Sequence, residues 1–81
     1  MKVYVITMRE KYSGLGFETG VRVFANKEDM LKVRKEYKDY AMEQFEGDDV
    51  EIDDNIEEGY CQVFLNNNMS INIYTYETEL E

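Results

Sequence analysis

The chain has 81 residues, of which 43% are apolar and 14% aromatic, and its formal net charge is −9. This length predicts one domain over residues 1–81, and the apolar fraction is too high for a disordered chain. The distribution of apolar residues indicates neither a membrane span nor a signal peptide, and a single cysteine cannot form an internal disulfide. We therefore expect a cytoplasmic protein, located in the host cytoplasm if a virus encodes it.

The first third of the chain predicts two strands. Residues 3–8 are β-branched or aromatic and indicate a strand, residues 10–16 a polar loop, and residues 17–24 the returning strand. The expected register places four valines on one face: Val5 opposite Val21, and Val3 opposite Val23.

A helix is predicted next. Asn26 is a suitable N-cap, with Asp29 three residues later near the positive end of the helix dipole. Gly47 is suited to the position where the chain leaves the helix. Apolar residues recur every three to four positions and form one stripe, made of Met30, Val33, Tyr37, Tyr40 or Ala41, and Phe45.

The remaining chain contains an acidic segment and a hairpin. Residues 48–59 predict either a short edge strand or a solvated loop. A turn at residues 66–68 predicts a register in which one side of the hairpin is entirely apolar, with the pairs Leu65 and Met69, Val63 and Ile71, and Cys61 and Ile73. On the other side, the predicted pairs are Phe64 and Ser70, Gln62 and Asn72, and Tyr60 and Tyr74. We therefore expect an α+β fold of order ββαββ, an antiparallel sheet packed on one helix.

The charges are divided unevenly along the chain. Every Lys and Arg lies at or before Lys38, and the 43 residues that follow contain 13 carboxylates. Folding does not require this arrangement, because like charges placed close together destabilise a compact state. The acidic half either keeps the protein soluble or forms a surface for a positively charged partner.

Catalytic and metal-binding chemistry is poorly supported. The chain has no histidine to activate a nucleophile, and Cys61 falls on the inward side of the last hairpin. A calcium loop starting at Asp49 would have Asp54 where glycine is required and Tyr60 where a bidentate glutamate is required. A zinc site is excluded because the chain has no His and only one Cys to act as ligands. We therefore expect that the protein is not an enzyme and that it has no cofactor and no metal site.

Direct nucleic-acid binding is also disfavoured. The helix carries a basic stretch, but neighbouring acids dilute it and phosphates would repel the whole molecule. We interpret these cations as exposed helix charges that are attracted to the acidic half. They are Lys27, Lys32, Arg34, Lys35 and Lys38.

The acidic half is the candidate binding surface. Carboxylates interleaved with tyrosines suit recognition of a basic cleft, because the rings supply contact area and the charge steers association. The predicted partner-binding residues are Asp48, Asp49, Glu51, Asp53, Asp54, Glu57, Glu58, Tyr60, Tyr74 and Tyr76. Alternatively, the outer face of the last hairpin, with Tyr60, Phe64 and Tyr74, pairs with a second copy to form a homodimer of a structural domain without an inhibitory role.

Three stretches, at residues 2–7, 20–29 and 71–77, carry a resemblance: KVYVIT, GVRVFANKED and INIYTYE. In this pattern the chain resembles small uncharacterised proteins of phages and Gram-positive bacteria, in which a hairpin runs into a capped helix and a final strand ends in acids. In size and charge it is similar to the acidic phage proteins that include anti-CRISPRs and DNA mimics. This resemblance implies an inhibitor that binds a basic nucleic-acid-binding protein such as a CRISPR effector, and it supplies no motif from which site residues could be transferred.

Overall fold

The computed structural model describes residues 1–80 and has one helix packed on a five-stranded antiparallel sheet of order β2-β1-β5-β4-β3. The predicted α+β class is confirmed. The predicted order ββαββ is wrong by one strand, because part of the acidic segment pairs along β4 instead of forming a loop. The elements are β1 (Lys2–Tyr12), β2 (Leu15–Phe24), α1 (Lys27–Gln44), β3 (Glu51–Asn55), β4 (Tyr60–Asn66) and β5 (Met69–Glu79).

The first hairpin is longer than predicted. Its turn is Ser13-Gly14 rather than a loop over residues 10–16, and both residues have positive φ, 53° and 82°, as tight hairpin turns require. The register also differs from the prediction, since Val5 pairs with Val23 and not with Val21. The tight turn sets this register, and an unpaired Thr19 shifts it by one residue.

The last hairpin confirms the predicted register over most of its length. Cys61 pairs with Ile73 and Val63 with Ile71, as expected. The predicted pairing of Leu65 with Met69 is wrong: Asn66 lies opposite Met69, and Leu65 is the extra residue of a bulge. As a result, the turn is shorter than the three asparagines of the prediction.

The helix begins and packs as the sequence indicates. The side chain of Asn26 accepts a hydrogen bond from the backbone N–H of Asp29 at 2.9 Å, which confirms the N-cap. Of the predicted stripe, Met30, Val33, Ala41 and Phe45 supply the helix side of the core. Tyr37 is partly buried against it, Tyr40 is 37% exposed, and Arg34 is buried beside the stripe. The core cluster consists of Ile6, Met8, Met30, Val33, Ala41, Phe45, Cys61, Val63, Ile71 and Ile73.

The helix covers one of the two faces of the sheet. Ile6, Met8 and Ile73 lie under it, because alternate residues of each strand point to the same side. The four valines of the first hairpin share a face as predicted, but it is the face opposite the helix, which we call the open face. The pairing places the following residues on the open face: Val3, Val5, Thr7, Arg9, Lys11, Val21, Val23, Glu51, Asp53, Tyr60, Gln62, Phe64, Asn72, Tyr74, Tyr76 and Thr78.

Candidate acidic interface

Asp54 is the carboxylate that anchors the acidic strand β3 to the helix. Arg34 donates to one of its oxygens, and Lys38 Nζ lies 2.7 Å from the other. The same Arg34 nitrogen donates to the carbonyl oxygen of Tyr60 at 2.9 Å. The hydrogen bonds from Arg34 and Lys38 hold the pKa of Asp54 below its ordinary value, whereas partial burial works in the opposite direction. Asp54 is therefore already occupied by cations of its own chain.

The helix cations differ from one another in role. The interpretation of all five as exposed is wrong for Arg34, of which 4% is exposed. The expected attraction of helix cations to the acidic half is confirmed by the pairs that Arg34 and Lys38 form with Asp54. By contrast, Lys35 forms an exposed pair with Asp39 of the same helix at 3.8 Å.

Glu51 and Asp53 lie on the open-face side of the edge strand. Glu51 is opposite Phe64 and Asp53 is opposite Gln62. These residues line a shallow cavity of about 320 Å³. The hydroxyl of Tyr60 lies 3.4 Å from a carboxylate oxygen of Asp53, so one predicted tyrosine does stand beside a predicted acid.

Glu57 and Glu58 lie in the turn that joins β3 to β4. The turn is held by a hydrogen bond from the backbone N–H of Glu58 to the side-chain oxygen of Asn55, 3.0 Å long. Both glutamates line a second groove, of about 200 Å³, together with Tyr76. Apolar residues of the helix and the turn, including Met30 and Ile56, also line this groove.

The other predicted residues are spread more widely. Asp48 and Asp49 are exposed in the connection between α1 and β3. Tyr74 and Tyr76 lie on the open face, 41% and 54% exposed. The structure thus brings the predicted residues together in two places: Asp53 with Tyr60 on the open face, and the Glu57–Glu58 turn with Tyr76 at a groove also lined by the helix. It does not gather all ten at one point.

One buried carboxylate was not predicted as a site residue. Glu10, predicted to lie in a loop, belongs to β1 and is 4% exposed. It accepts hydrogen bonds from the hydroxyls of Tyr12 at 2.6 Å and Tyr40 at 2.8 Å. Burial raises the pKa of Glu10, but the hydrogen bonds from Thr19, Tyr12 and Tyr40 together outweigh burial and lower it. The sequence feature that indicates its burial is alternation along β1. Every second residue from Ile6 faces the helix, and this places Glu10 on the same side as Ile6, Met8 and Tyr12.

Reactive and metal-binding groups are sparse. Cys61 is fully buried, and burial, followed by the charge of Asp54, raises the pKa of its thiol. Across residues 1–80, no three His, Cys, Asp or Glu side chains are grouped in a way that could hold a metal ion.

In the part of the chain that the structure describes, no helix combines the length and apolar character needed to cross a membrane. The candidate interface consists of exposed carboxylates and tyrosine rings, which suit binding by charge and contact area.

Comparisons of the chain with known protein families, with curated proteins and with solved structures find no match.

Proposed function

We propose that this protein is a phage-type inhibitor that binds, through its acidic C-terminal half, the basic nucleic-acid-binding site of a host defence protein. In this role it acts as an anti-CRISPR-like DNA mimic in the host cytoplasm, without enzymatic activity or a cofactor, and a CRISPR effector is the kind of partner expected. The observation that carries the proposal is the absence of any Lys or Arg after Lys38 in a chain of net charge −9.

The pairing of the carboxylates supports the proposal. Of the seven predicted acids, Asp54 is the one that forms a salt bridge among residues 1–80. The other six are exposed and carry charge that the chain itself does not neutralise: Asp48, Asp49, Glu51, Asp53, Glu57 and Glu58. Such a one-signed surface raises the association rate with a basic cleft at low ionic strength.

The rigidity of the acidic strand supports it further. Glu51 and Asp53 belong to a strand that pairs with β4 over its whole length, and Asp54 ties that strand to the helix. Carboxylates held on a paired backbone lose less conformational entropy on binding than carboxylates on a mobile loop. Tyr60 adds a ring beside Asp53, and aromatic rings are frequent among the residues that dominate binding energy.

The proposal is tested by capture of partners from host lysate at low and high salt, followed by mass spectrometry. The test compares the native chain with the triple variant Glu51→Gln, Glu57→Gln, Glu58→Gln. The matched control is Glu18→Gln, Glu28→Gln, Glu36→Gln, which changes three exposed glutamates that precede Lys38 and gives the same net charge.

We expect a nucleic-acid-binding protein to be retained at low salt and released at high salt, because exposed charges are screened. The interface variant should lose this partner, and the control variant outside the acidic half should keep it. Equal loss in both variants would mean that net charge, and not the acidic surface, governs retention. The proposal would be contradicted if no nucleic-acid-binding protein is retained, or if the amount retained does not depend on salt concentration.

A second candidate is a structural domain that self-associates through the open face. The observation that favours it is the exposure of Phe64 and Tyr74, 37% and 41%, on one face of the last hairpin. Light scattering separates the two candidates. A dimer that is insensitive to salt and is disrupted by Tyr74→Lys favours this second candidate.

A further inference from the structure

We infer that β2 is an edge at which a second copy of this chain adds, strand to antiparallel strand, to give one continuous sheet across a homodimer. This inference concerns a surface outside the acidic half and does not rest on the proposed function. It also differs from pairing through the outer face of the last hairpin, because β2 is an edge strand and belongs to the first hairpin.

The first observation is the exposure of β2. None of its ten residues is buried, although several are large and apolar. Leu15 is 66% exposed, Phe17 51%, Val21 56% and Val23 57%. Within one copy only Gly20 and Phe24 are partly buried, so pairing with a second strand would remove from water apolar area of β2 that is otherwise exposed.

The second observation is the contrast between the two edges. Native edge strands are usually protected from pairing by shortness, by charges or by proline. β3 is protected in this way, with five residues of which Glu51, Asp53 and Asp54 are acidic. β2 has ten residues, no proline and no lysine, and its charged residues are Glu18 and Arg22. The bulge at Thr19 divides the strand into two regularly paired segments, and the longer one contains Val21 and Val23.

The third observation is electrostatic and identifies the partner as a second copy. Glu18 and Arg22 cancel within β2, whereas the acids are concentrated at β3. Four strand spacings, about 19 Å, separate the two edges, which exceeds the screening length of about 10 Å at 0.1 M salt. Pairing through β2 therefore keeps the acidic edges of the two copies at the far ends of the dimer.

The proposed dimer is symmetric. An antiparallel pair of identical strands is isologous, so both copies use the same surface and the assembly closes at two. The unpaired backbone groups and exposed valines that one copy offers are the groups that the other copy needs. A pairing of β2 with β3 of the next copy would instead be heterologous and would give an open chain of copies.

The test is sedimentation equilibrium of the full chain from about 5 to 500 µM in 0.3 M NaCl, a range that covers weak to moderate dimers. We expect the mass to rise from 9.6 kDa toward twice that value. Val23→Lys should raise the dimer dissociation constant at least about tenfold, because it places a charge on the pairing edge. Two controls should leave the constant unchanged: Ile52→Lys on the β3 edge and Tyr74→Lys on the central strand of the open face.

If Val23→Lys does not fold, hydrogen exchange of the native chain tests the same inference. In the native chain, the amides of β2 should exchange more slowly at high than at low protein concentration, and those of β3 should not change. A chain that stays monomeric at 500 µM would overturn the inference, as would a dimer weakened by Tyr74→Lys and not by Val23→Lys. Species larger than a dimer would indicate heterologous β2–β3 pairing and would equally overturn it.

Discussion

Arg34 and Asp54 join the helix to the far edge of the sheet through an ion pair in which 5% of the arginine side chain and 25% of the aspartate side chain are exposed. The pair connects the last cations of the chain with the acidic segment that follows. The Nε atom of Arg34 has no hydrogen-bond partner among residues 1–80. A buried cation in this position depends on Asp54 and the carbonyl of Tyr60 for its solvation, so the acidic edge strand and the helix stabilise each other.

Replacing Arg34 by methionine should lower the free energy of unfolding by about 2 kcal/mol, because Asp54 and the Tyr60 carbonyl lose their shared donor while Lys38 and water still solvate Asp54 in part. Urea denaturation measures this change. Lys35→Met is the control, since it removes an exposed pair with Asp39 and should cost less than about 0.5 kcal/mol. Equal costs for the two variants would contradict a structural role for the buried pair.

Glu10 should make the protein sensitive to acid. Its pKa in the folded protein lies below the ordinary value of 4.5, so its contribution to stability is present above pH 4.5 and is lost as the pH falls through the folded pKa. Glu10→Gln should therefore be less stable than the native chain at pH 7, by about 1–3 kcal/mol, and the difference should shrink near pH 3.

Thermal unfolding between pH 3 and 7 measures the effect of Glu10. Glu36→Gln, which changes an exposed helix glutamate, should leave the pH profile of the native chain unchanged. Asp54 contributes an acid-sensitive step of the same sign, which both variants retain. If the profiles of Glu10→Gln and the native chain run parallel, the hydroxyls of Tyr12 and Tyr40 do not stabilise the charged form of Glu10.

Two glycines with similar backbone angles should respond differently to alanine. Gly59 has φ +81°, and an added Cβ would lie 2.5 Å from the carbonyl oxygen of Thr75. Gly47 has φ +86°, and nothing lies within 4 Å of such a Cβ. Gly47→Ala should cost about 1–2 kcal/mol from backbone strain alone, which corresponds to roughly 4–16 °C in melting temperature for a domain of this size.

Gly59→Ala should cost clearly more, because the backbone of β5 must move as well. The amide of Thr75 donates to the carbonyl of Gly59 at 2.8 Å, so this movement also strains the contact between the turn and the strand. Differential scanning calorimetry of both variants checks the order. A melting temperature for Gly59→Ala equal to or above that of Gly47→Ala would show that the turn adapts freely.

The thiol of Cys61 should be inert in the folded protein. It is fully buried and its pKa is raised, so both access and thiolate are lacking at neutral pH. Reaction with a thiol-specific disulfide reagent should be at least about tenfold slower than in denaturant, where the thiol regains its ordinary reactivity. Reaction at the same rate in both conditions would mean that the β4–β5 hairpin opens readily.

Local patterns were sufficient for the helix and for most of the last hairpin. The cap at Asn26 depends on residues within one turn, and the pairing of Cys61 with Ile73 follows because slipping by one residue would expose the apolar side. The first hairpin was predicted less well because its register depends on the backbone of two turn residues and on a bulge at Thr19. The bulge leaves no distinct signal in side-chain polarity.

The choice of the covered face also required the tertiary structure. The first strand is apolar on both sides, with Val3 and Val5 on one and Ile6 and Met8 on the other, and all four are buried. Alternation alone therefore does not say which side meets the helix. The pairing of β1 with the central strand β5 decides it, because Met8 is opposite Ile73, which already faces the helix.

The sequence by itself determined the separation of charge, since the order of residues places every cation at or before Lys38 and 13 carboxylates after it. Only the tertiary structure decided which carboxylates remain exposed on the surface. Helix and edge strand meet across the core, so Arg34 and Lys38 occupy Asp54, while Glu51 and Asp53 point to the opposite side of the same strand. The physical reason is that alternation within a strand sends neighbouring acids to opposite faces, and the packing of the helix then selects the acid that is neutralised.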